Sequence, residues 1–370
     1  MATRKPERRH AAGPNRTSRS GNPAVRAGEQ VPRAARPPAV RATPVPPFDP
    51  GALPVDGAPY PLILRNADTV WWRSMLGAVF GISLYLLLVT VVSQAVVALA
   101  WALSHPVPYR EYYLQAFGFE RPIGMLATNL GIATLIPISI VLVLVIHRSR
   151  ARWLFSVGPG IRWRYLGLCL LVAFVALNGV LALSTLVSGV PAFHVQSNFW
   201  LFLVVIVLTS PFQAAAEELF FRGYLMQALG SVVARPWFGV LGSSVVFALM
   251  HGTQNVPLFV DRLAFGLLAA VLVWRTGGLE AGIAAHVVNN VFAYLVAGLT
   301  TSIATLKAVR ELTWADAAFD VGGFALFALL ALLVARLVRL RNRVDLSAPA
   351  VTAVRTRFRL SEFGPGRGVQ

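Results

Sequence analysis

The chain has 370 residues, of which 56% are hydrophobic and only 13% are charged, whereas an average soluble domain is about 25% charged. One water-soluble core cannot hide so much apolar surface, so the composition excludes an ordinary soluble protein. The formal net charge of +17 raises nucleic acid as a partner, but no folded segment interleaves basic with aromatic residues. The Arg excess is typical of the orientation bias of membrane proteins, and no nucleic-acid partner is expected.

Residues 1–70 form a basic segment rich in Pro, Ala and Arg. It has too few aliphatic clusters to offset the entropy of ordering the chain. We therefore predict a disordered cytoplasmic tail here, and a second basic cytoplasmic tail over residues 344–370. A membrane domain is predicted between them, over residues 71–343, so membrane lipids are expected partners.

Eight apolar runs follow the first tail, and most approach the roughly 20 residues that a helix needs to cross the hydrocarbon layer. They cover residues 75–103, 123–146, 165–188, 199–216, 237–250, 263–274, 281–299 and 321–335. We predict an all-α integral membrane protein with about eight transmembrane helices, in which the 237–250 and 263–274 runs are short. Cys169 is the single cysteine, which excludes an intrachain disulfide.

Basic residues gather in alternate loops between these runs. One set of loops and chain ends carries Arg65, Arg73, Arg148, Arg150, Arg152, Arg162, Arg164, Arg235, Arg275, Arg336, Arg339, Arg341 and Arg343, while the opposite loops are neutral or balanced by acidic residues. Lys and Arg stay on the cytoplasmic side of membrane proteins. The pattern predicts a multi-pass plasma-membrane protein with both termini in the cytoplasm. There is no sequence repeat of the kind found in many transporters.

Three of the apolar runs carry or adjoin ionisable groups, which by default mark a functional site inside a membrane protein. They are Glu217, Glu218 and Arg222 directly after the fourth run, His251 at the end of the fifth run with Phe247 inside it, and His286 with Asn289 and Asn290 in the seventh. Residues four apart share a helix face. Glu218 can therefore form a structural ion pair with Arg222, whereas Glu217 points elsewhere. The same spacing places Phe247 beside His251, and His286 on one face with Asn290.

The side chains of these motifs are predicted to lie at compatible depths in the membrane, so they can meet in one site. With a rise of about 1.5 Å per residue, Glu217, His251, His286 and Asn290 lie about 18, 22, 9 and 15 Å from the cytoplasmic ends of their helices. The sequence thus predicts one shared site, reached from the cytoplasmic half of the membrane.

A carboxylate, two imidazoles and an amide suit the attack of water on a carbonyl carbon. Glu217 can act as the general base and His251 can hold the water or pass a proton to the leaving amine. His286 and Asn290 can donate hydrogen bonds to the oxyanion. A tightly bound metal is not favoured, because there is no His-Glu-x-x-His helix. Zinc stays the alternative, with Glu217, His251 and His286 as ligands.

The elements Glu-Glu-x-x-x-Arg, Phe-x-x-x-His and His-x-x-x-Asn, in this order, resemble the signature of the CAAX protease and bacteriocin-processing family, which is related to the type II CAAX prenyl endopeptidase. The resemblance covers residues 199–299 and implies an eight-helix intramembrane endopeptidase that cleaves a membrane-associated protein or peptide. It implies Glu217 and His251 as water activators, and His286 with Asn290 as the oxyanion site. Family members are named as metalloproteases or as glutamate-dependent proteases, and many are linked to bacteriocin immunity.

The alternative is a non-catalytic membrane protein, either a transporter or a bacteriocin-immunity scaffold. Its buried polar residues would bind a ligand or hold helices together. The complete set of Glu217, His251, His286 and Asn290 favours the enzyme, because a scaffold has no need for all four.

Overall fold

The computed structural model describes residues 53–66 and 69–347 of the chain, and its regular elements there are all helices. Residues 1–52 and 348–370, which include most of both predicted tails, lie outside the described residues. The α-helices are α1 (Trp71–Ser104), α2 (Tyr109–Phe117), α3 (Pro122–Val145), α4 (Trp163–Ser188), α5 (Phe199–Val233), α6 (Pro236–Leu249), α7 (Val256–Thr276), α8 (Glu280–Thr300), α9 (Ile303–Ala308) and α10 (Trp314–Leu337).

Seven of the described helices, namely α1, α3, α4, α5, α7, α8 and α10, are long and apolar enough to cross a membrane. The all-α, multi-pass architecture predicted from the sequence is therefore confirmed. The apolar run at 237–250 forms α6, which has only 14 residues. Its length of about 21 Å falls short of the roughly 30 Å of a hydrocarbon layer.

The segment between α6 and α7 is irregular backbone. The chain turns at His251 and at Gly252, which has a φ of 77°. Asn255 then caps α7 and donates from its side chain to the carbonyl oxygen of Leu312, just before α10, at 2.9 Å. These contacts hold the segment between α6 and α7 against the start of α10.

The two ends of the described chain lie together. The N–H of Gly57 donates to the carbonyl oxygen of Val344 at 2.9 Å, and the Val344 N–H donates to Ala58 at 2.9 Å. Arg343 also donates to the Gly57 carbonyl oxygen at 2.9 Å. Both ends thus emerge at the same end of the helical bundle, as the predicted topology requires, while the side of the membrane stays a prediction.

Residues 53–66, which the sequence analysis assigns to the first tail, pack against the bundle. Tyr60 and Ile63 are buried in the main hydrophobic core. Arg65 donates to the carbonyl oxygen of Ser231, near the end of α5, at 2.8 Å. The domain boundaries themselves stay predictions.

Helix α8 is central to the bundle and packs against α4, α5, α7 and α10. Small residues fill its first turns, and Ala281, Gly282, Ala284 and Ala285 are buried. Small residues let helix backbones approach closely in membranes. At Gly282 a Cβ atom would lie only 2.6 Å from Oε2 of Glu218, so this glycine allows α5 and α8 to meet at the acidic motif.

Candidate active site

Glu218 and Arg222 form a fully buried ion pair on α5. Nη1 of Arg222 donates to Oε1 of Glu218 at 2.8 Å, so the pairing predicted from helical spacing is present. A π-helical turn over Leu219–Leu225 begins directly after Glu218, and such turns are frequent at functional sites. The guanidinium carbon of Arg222 lies 4.1 Å from the ring centroid of Phe247. Phe247 therefore stabilises the buried cation, a role that the sequence analysis did not foresee.

His286 lies between two carboxylates. Its Nδ1 is 2.9 Å from Oε1 of Glu218, and its Nε2 is 3.4 Å from Oε2 of Glu217. An ionised carboxylate only accepts hydrogen bonds, whereas a neutral imidazole has a single N–H. Nδ1 therefore carries the hydrogen that is donated to Glu218, and Nε2 is the nitrogen that faces Glu217. Sequence spacing assigned Glu218 to Arg222 alone, so its contact with His286 is new.

Asn290 is connected to Glu217 through Gln213. Nδ2 of Asn290 donates to Oε1 of Gln213 at 3.0 Å, and Nε2 of Gln213 donates to Oε1 of Glu217 at 2.9 Å. The sequence analysis gave Gln213 no role. Its position, one turn before Glu217 in the same apolar run, is the signal that would have found it. Asn289 donates to Oδ1 of Asn290 at 3.3 Å.

His251 contacts the Phe247 ring, which in turn contacts His286. Its Nδ1 is 2.8 Å from the carbonyl oxygen of Phe247. Because a carbonyl oxygen only accepts, Nδ1 carries the hydrogen and Nε2 is left as an acceptor. The Phe247 ring contacts the rings of His251 and His286, at centroid distances of 4.7 and 6.2 Å. Within the described part of the chain, His251 makes no hydrogen bond or ion pair with Glu217, His286 or Asn290.

A cavity of about 470 Å³ adjoins the site, with Phe247, His286, Asn289 and Asn290 in its wall. Glu217 and His251 are not among the lining residues, and Glu217 borders the cavity through its contact with His286. The cavity extends along α8 towards residues 305–312.

From His286, the cavity extends in the direction opposite to the end of the bundle where the described chain ends lie. Arg162 links the start of α8 to that end, because it pairs with Glu280 and donates to the carbonyl oxygen of Arg341. The cavity follows α8 from His286 to Thr300, a distance of about 21 Å, towards the other end of the helix. The side from which a substrate reaches the site, and the side of the membrane on which the chain ends lie, both stay predictions.

The three candidate zinc ligands are not brought into one cluster. Glu217 and His286 are in contact, but His251 is bound to the Phe247 carbonyl oxygen instead. Over residues 53–66 and 69–347, no three His, Cys, Asp or Glu side chains are grouped in a way that could hold a metal ion. The described arrangement does not fit the three-ligand geometry of a catalytic zinc site.

These features define a multi-pass helical membrane protein with a buried carboxylate, imidazole and amide site. A family model described as "Type II CAAX prenyl endopeptidase Rce1-like" matches residues 196–292, a range that contains all the motif residues named above. That family is a membrane protease family, and the match supports a CAAX-type intramembrane protease at the level of the family.

The uncharacterized protein YyaK of Bacillus subtilis (strain 168) is 33% identical over 106 residues. The aligned region covers 27% of this chain and 35% of YyaK, so the chain matches little more than a third of that relative. No solved structure matches the chain.

Proposed function

We propose that the chain is an intramembrane endopeptidase that hydrolyses a peptide bond in a membrane-associated protein or peptide. The observation that carries this proposal is the position of His286 between the carboxylates of Glu217 and Glu218, in the wall of the cavity. Such a linked acid and base supports proton transfer more directly than it supports helix packing. A cavity of about 470 Å³ is within the size range of small-ligand sites and accepts a short stretch of peptide.

Glu217 is the general base in this proposal. It takes a proton from a water molecule as the water oxygen attacks the carbonyl carbon, and the carbonyl π electrons move to the oxygen. When the carbon–nitrogen bond breaks, the leaving amine receives that proton through Glu217 or through the neighbouring His286. His251 supports the attack, because its Nε2 is an acceptor that can hold the water.

The oxyanion is stabilised by His286 and Asn290. In the described state, Nε2 of His286 faces Glu217, and Nδ2 of Asn290 donates to Gln213. Substrate binding therefore has to open the long 3.4 Å contact before His286 can donate to the oxyanion. Catalytic hydrogen bonds are often loose before substrate binds and tighten in the complex.

Glu218, Arg222 and Phe247 are positioning residues in this mechanism. Glu218 holds Nδ1 of His286, Arg222 neutralises Glu218, and Phe247 covers the guanidinium group. We further propose that the water is activated without a tightly bound metal, and that both chain ends are cytoplasmic in the plasma membrane.

The test of the enzymatic function is the Glu217→Gln variant, which keeps the shape of the side chain but removes its basicity. The full chain, purified into lipid nanodiscs, is incubated with a peptide library, and products are identified by mass spectrometry. We expect cleavage to fall about a hundredfold or more, with the yield of folded protein unchanged.

Glu111→Gln is the matched control, because Glu111 is an exposed residue of α2 and its variant should cleave normally. Full activity of the Glu217→Gln protein would refute the assignment of the base. An absence of products with the wild-type chain would favour a non-catalytic transporter or bacteriocin-immunity scaffold.

A further inference from the structure

The cavity wall carries three charged side chains that the proposed mechanism does not use. They are Asp261 and Arg262 on α7 and Asp320 on α10. Ionisable groups inside membrane-spanning helices are costly, and they are normally paired or functional. In the described part of the chain, none of these three side chains makes a hydrogen bond or an ion pair within 4.0 Å.

Asp261 is the most unusual of the three. Its relative exposure is only 7%, and its Oδ1 is buried with no hydrogen-bond partner in the described structure. Most buried polar side-chain atoms in folded proteins have a partner. A carboxylate that serves only to hold helices together would have one. The free acceptor in the cavity wall therefore points to a ligand.

The two aspartates lie at one level of the cavity. Asp261 is one helical turn from Phe265, and Asp320 is one turn from Phe324, while the rings of the two phenylalanines are in contact at 4.7 Å. Phe265 also packs on the imidazole of His286, at a centroid distance of 5.1 Å. Because α7 and α10 both run towards the described chain ends, the carboxylates lie about 6 Å further from His286, on the side of residues 305–312.

We propose that Asp261 and Asp320 form a subsite for a cationic group of the peptide substrate, namely a Lys or Arg side chain within about three residues of the scissile bond. This inference rests on the proposed endopeptidase function. An extended residue spans about 3.3 Å, so a peptide with its scissile carbonyl at His286 places such a side chain beside the carboxylates. Phe265 lines the path and offers an apolar surface for the alkyl stem of the side chain.

Arg262 does not cancel the charge of this subsite. One guanidinium group balances at most one of the two carboxylates, which leaves a net negative charge in this part of the cavity. A charge-assisted hydrogen bond from a substrate ammonium or guanidinium group would give the Asp261 carboxylate the partner it lacks. The same position disfavours an acidic substrate residue.

The first arm of the test measures binding, so that it does not depend on turnover. Full-length Glu217→Gln protein in nanodiscs is titrated with three fluorescent alanine–leucine peptides that differ only in a central Lys, norleucine or Glu. We expect the Lys peptide to bind about tenfold more tightly than the norleucine peptide. Adding Asp261→Asn or Asp320→Asn should remove this preference. Adding Asp320→Lys, at an exposed position, should favour the Glu peptide, whereas adding Glu111→Gln should change nothing.

Equal binding of the Lys and norleucine peptides would overturn the subsite. The subsite would also be overturned if the protein with both aspartates intact bound the Glu peptide most tightly. Arg262 would then be the residue that binds the charged side chain of the peptide. The second arm measures kcat/KM of the wild-type chain for the same peptides. A preference for Lys in binding, without cleavage of any peptide, would refute the endopeptidase function and leave the cationic subsite standing. Cleavage of the Lys and norleucine peptides at equal kcat/KM would refute the subsite alone.

Discussion

At the scale of single residues, the site is organised around one imidazole with two acidic neighbours. His286 connects Glu217, the proposed general base, to the buried ion pair of Glu218 and Arg222. Removing one member of a buried ion pair leaves an uncompensated charge and costs about 3–5 kcal/mol. In the proposed mechanism the adjacent glutamates therefore differ in what they do: Glu218 holds the imidazole in place, and Glu217 remains available for proton transfer.

Gln213 is the residue through which Glu217 and Asn290 are held at a fixed distance. We expect Gln213→Leu, which keeps the volume but removes both hydrogen bonds, to lower kcat by roughly tenfold or more, because a small misplacement of a catalytic group is costly. Steady-state kinetics with a cleaved peptide would measure this. Thr90→Val makes a similar polar-to-apolar change at an exposed position of α1 and should leave kcat unchanged. Equal kcat for the Gln213→Leu and wild-type proteins would remove Gln213 from the site.

Whether the protein needs a metal also depends on the positions of individual side chains. Since the donor atoms of Glu217, His251 and His286 are not gathered into one cluster, we expect active purified protein to contain much less than about one zinc per chain. Its activity should survive chelation and dialysis. Elemental analysis and activity assays on the same sample would check this. If zinc and activity are lost together and restored together, a metal-dependent mechanism replaces the one proposed.

At the scale of helices, two local features bring the motifs together. The π-helical turn over Leu219–Leu225 follows the acidic pair on α5. On α8, Gly282 leaves the space that the Glu218 carboxylate occupies. The role of Gly282 depends on contact between two helices, since a glycine in an apolar run is no more informative in the sequence than the alanines around it.

Gly282→Ala tests this contact. A Cβ atom at 2.6 Å from Oε2 of Glu218 has to displace a carboxylate that is already bound to Arg222 and His286. We expect a loss of about 1–3 kcal/mol in stability together with reduced cleavage. Thermal unfolding in detergent and the peptide assay would measure the two effects.

Gly322→Ala on α10 is the matched control, because no atom lies within 4 Å of its added Cβ. Here stability should be unchanged or rise by up to about 1 kcal/mol, as Ala is the better helix former. Wild-type stability and activity in Gly282→Ala would show that α5 and α8 do not meet as described.

At the scale of the whole molecule, the cavity and the described chain ends lie at opposite ends of the bundle. The loop charges predict cytoplasmic chain ends. If they are cytoplasmic, the cavity extends towards the outer face of the membrane.

Single cysteines at the two ends of the bundle would measure the orientation. Ala308 and Ser347 are both exposed, the first near the cavity residues 305–312 and the second beyond Val344. We expect a membrane-impermeant maleimide to label Ala308→Cys in intact cells and Ser347→Cys only after permeabilisation. The wild-type chain, whose Cys169 is buried, gives the background. The reverse labelling pattern would place the cavity mouth in the cytoplasm and the chain ends outside.

The sequence by itself determined the class of architecture and the main candidate residues. Long apolar runs can only be hidden as membrane-spanning helices, and helical spacing is sufficient to predict the contact between Glu218 and Arg222. The tertiary structure alone decided which side chains meet across helices. It brought His286 to both glutamates, added Gln213, and left His251 bonded to the Phe247 carbonyl oxygen and without a direct hydrogen bond to the others. The reason is that spacing along one helix defines a face, whereas the partner of that face depends on how neighbouring helices pack.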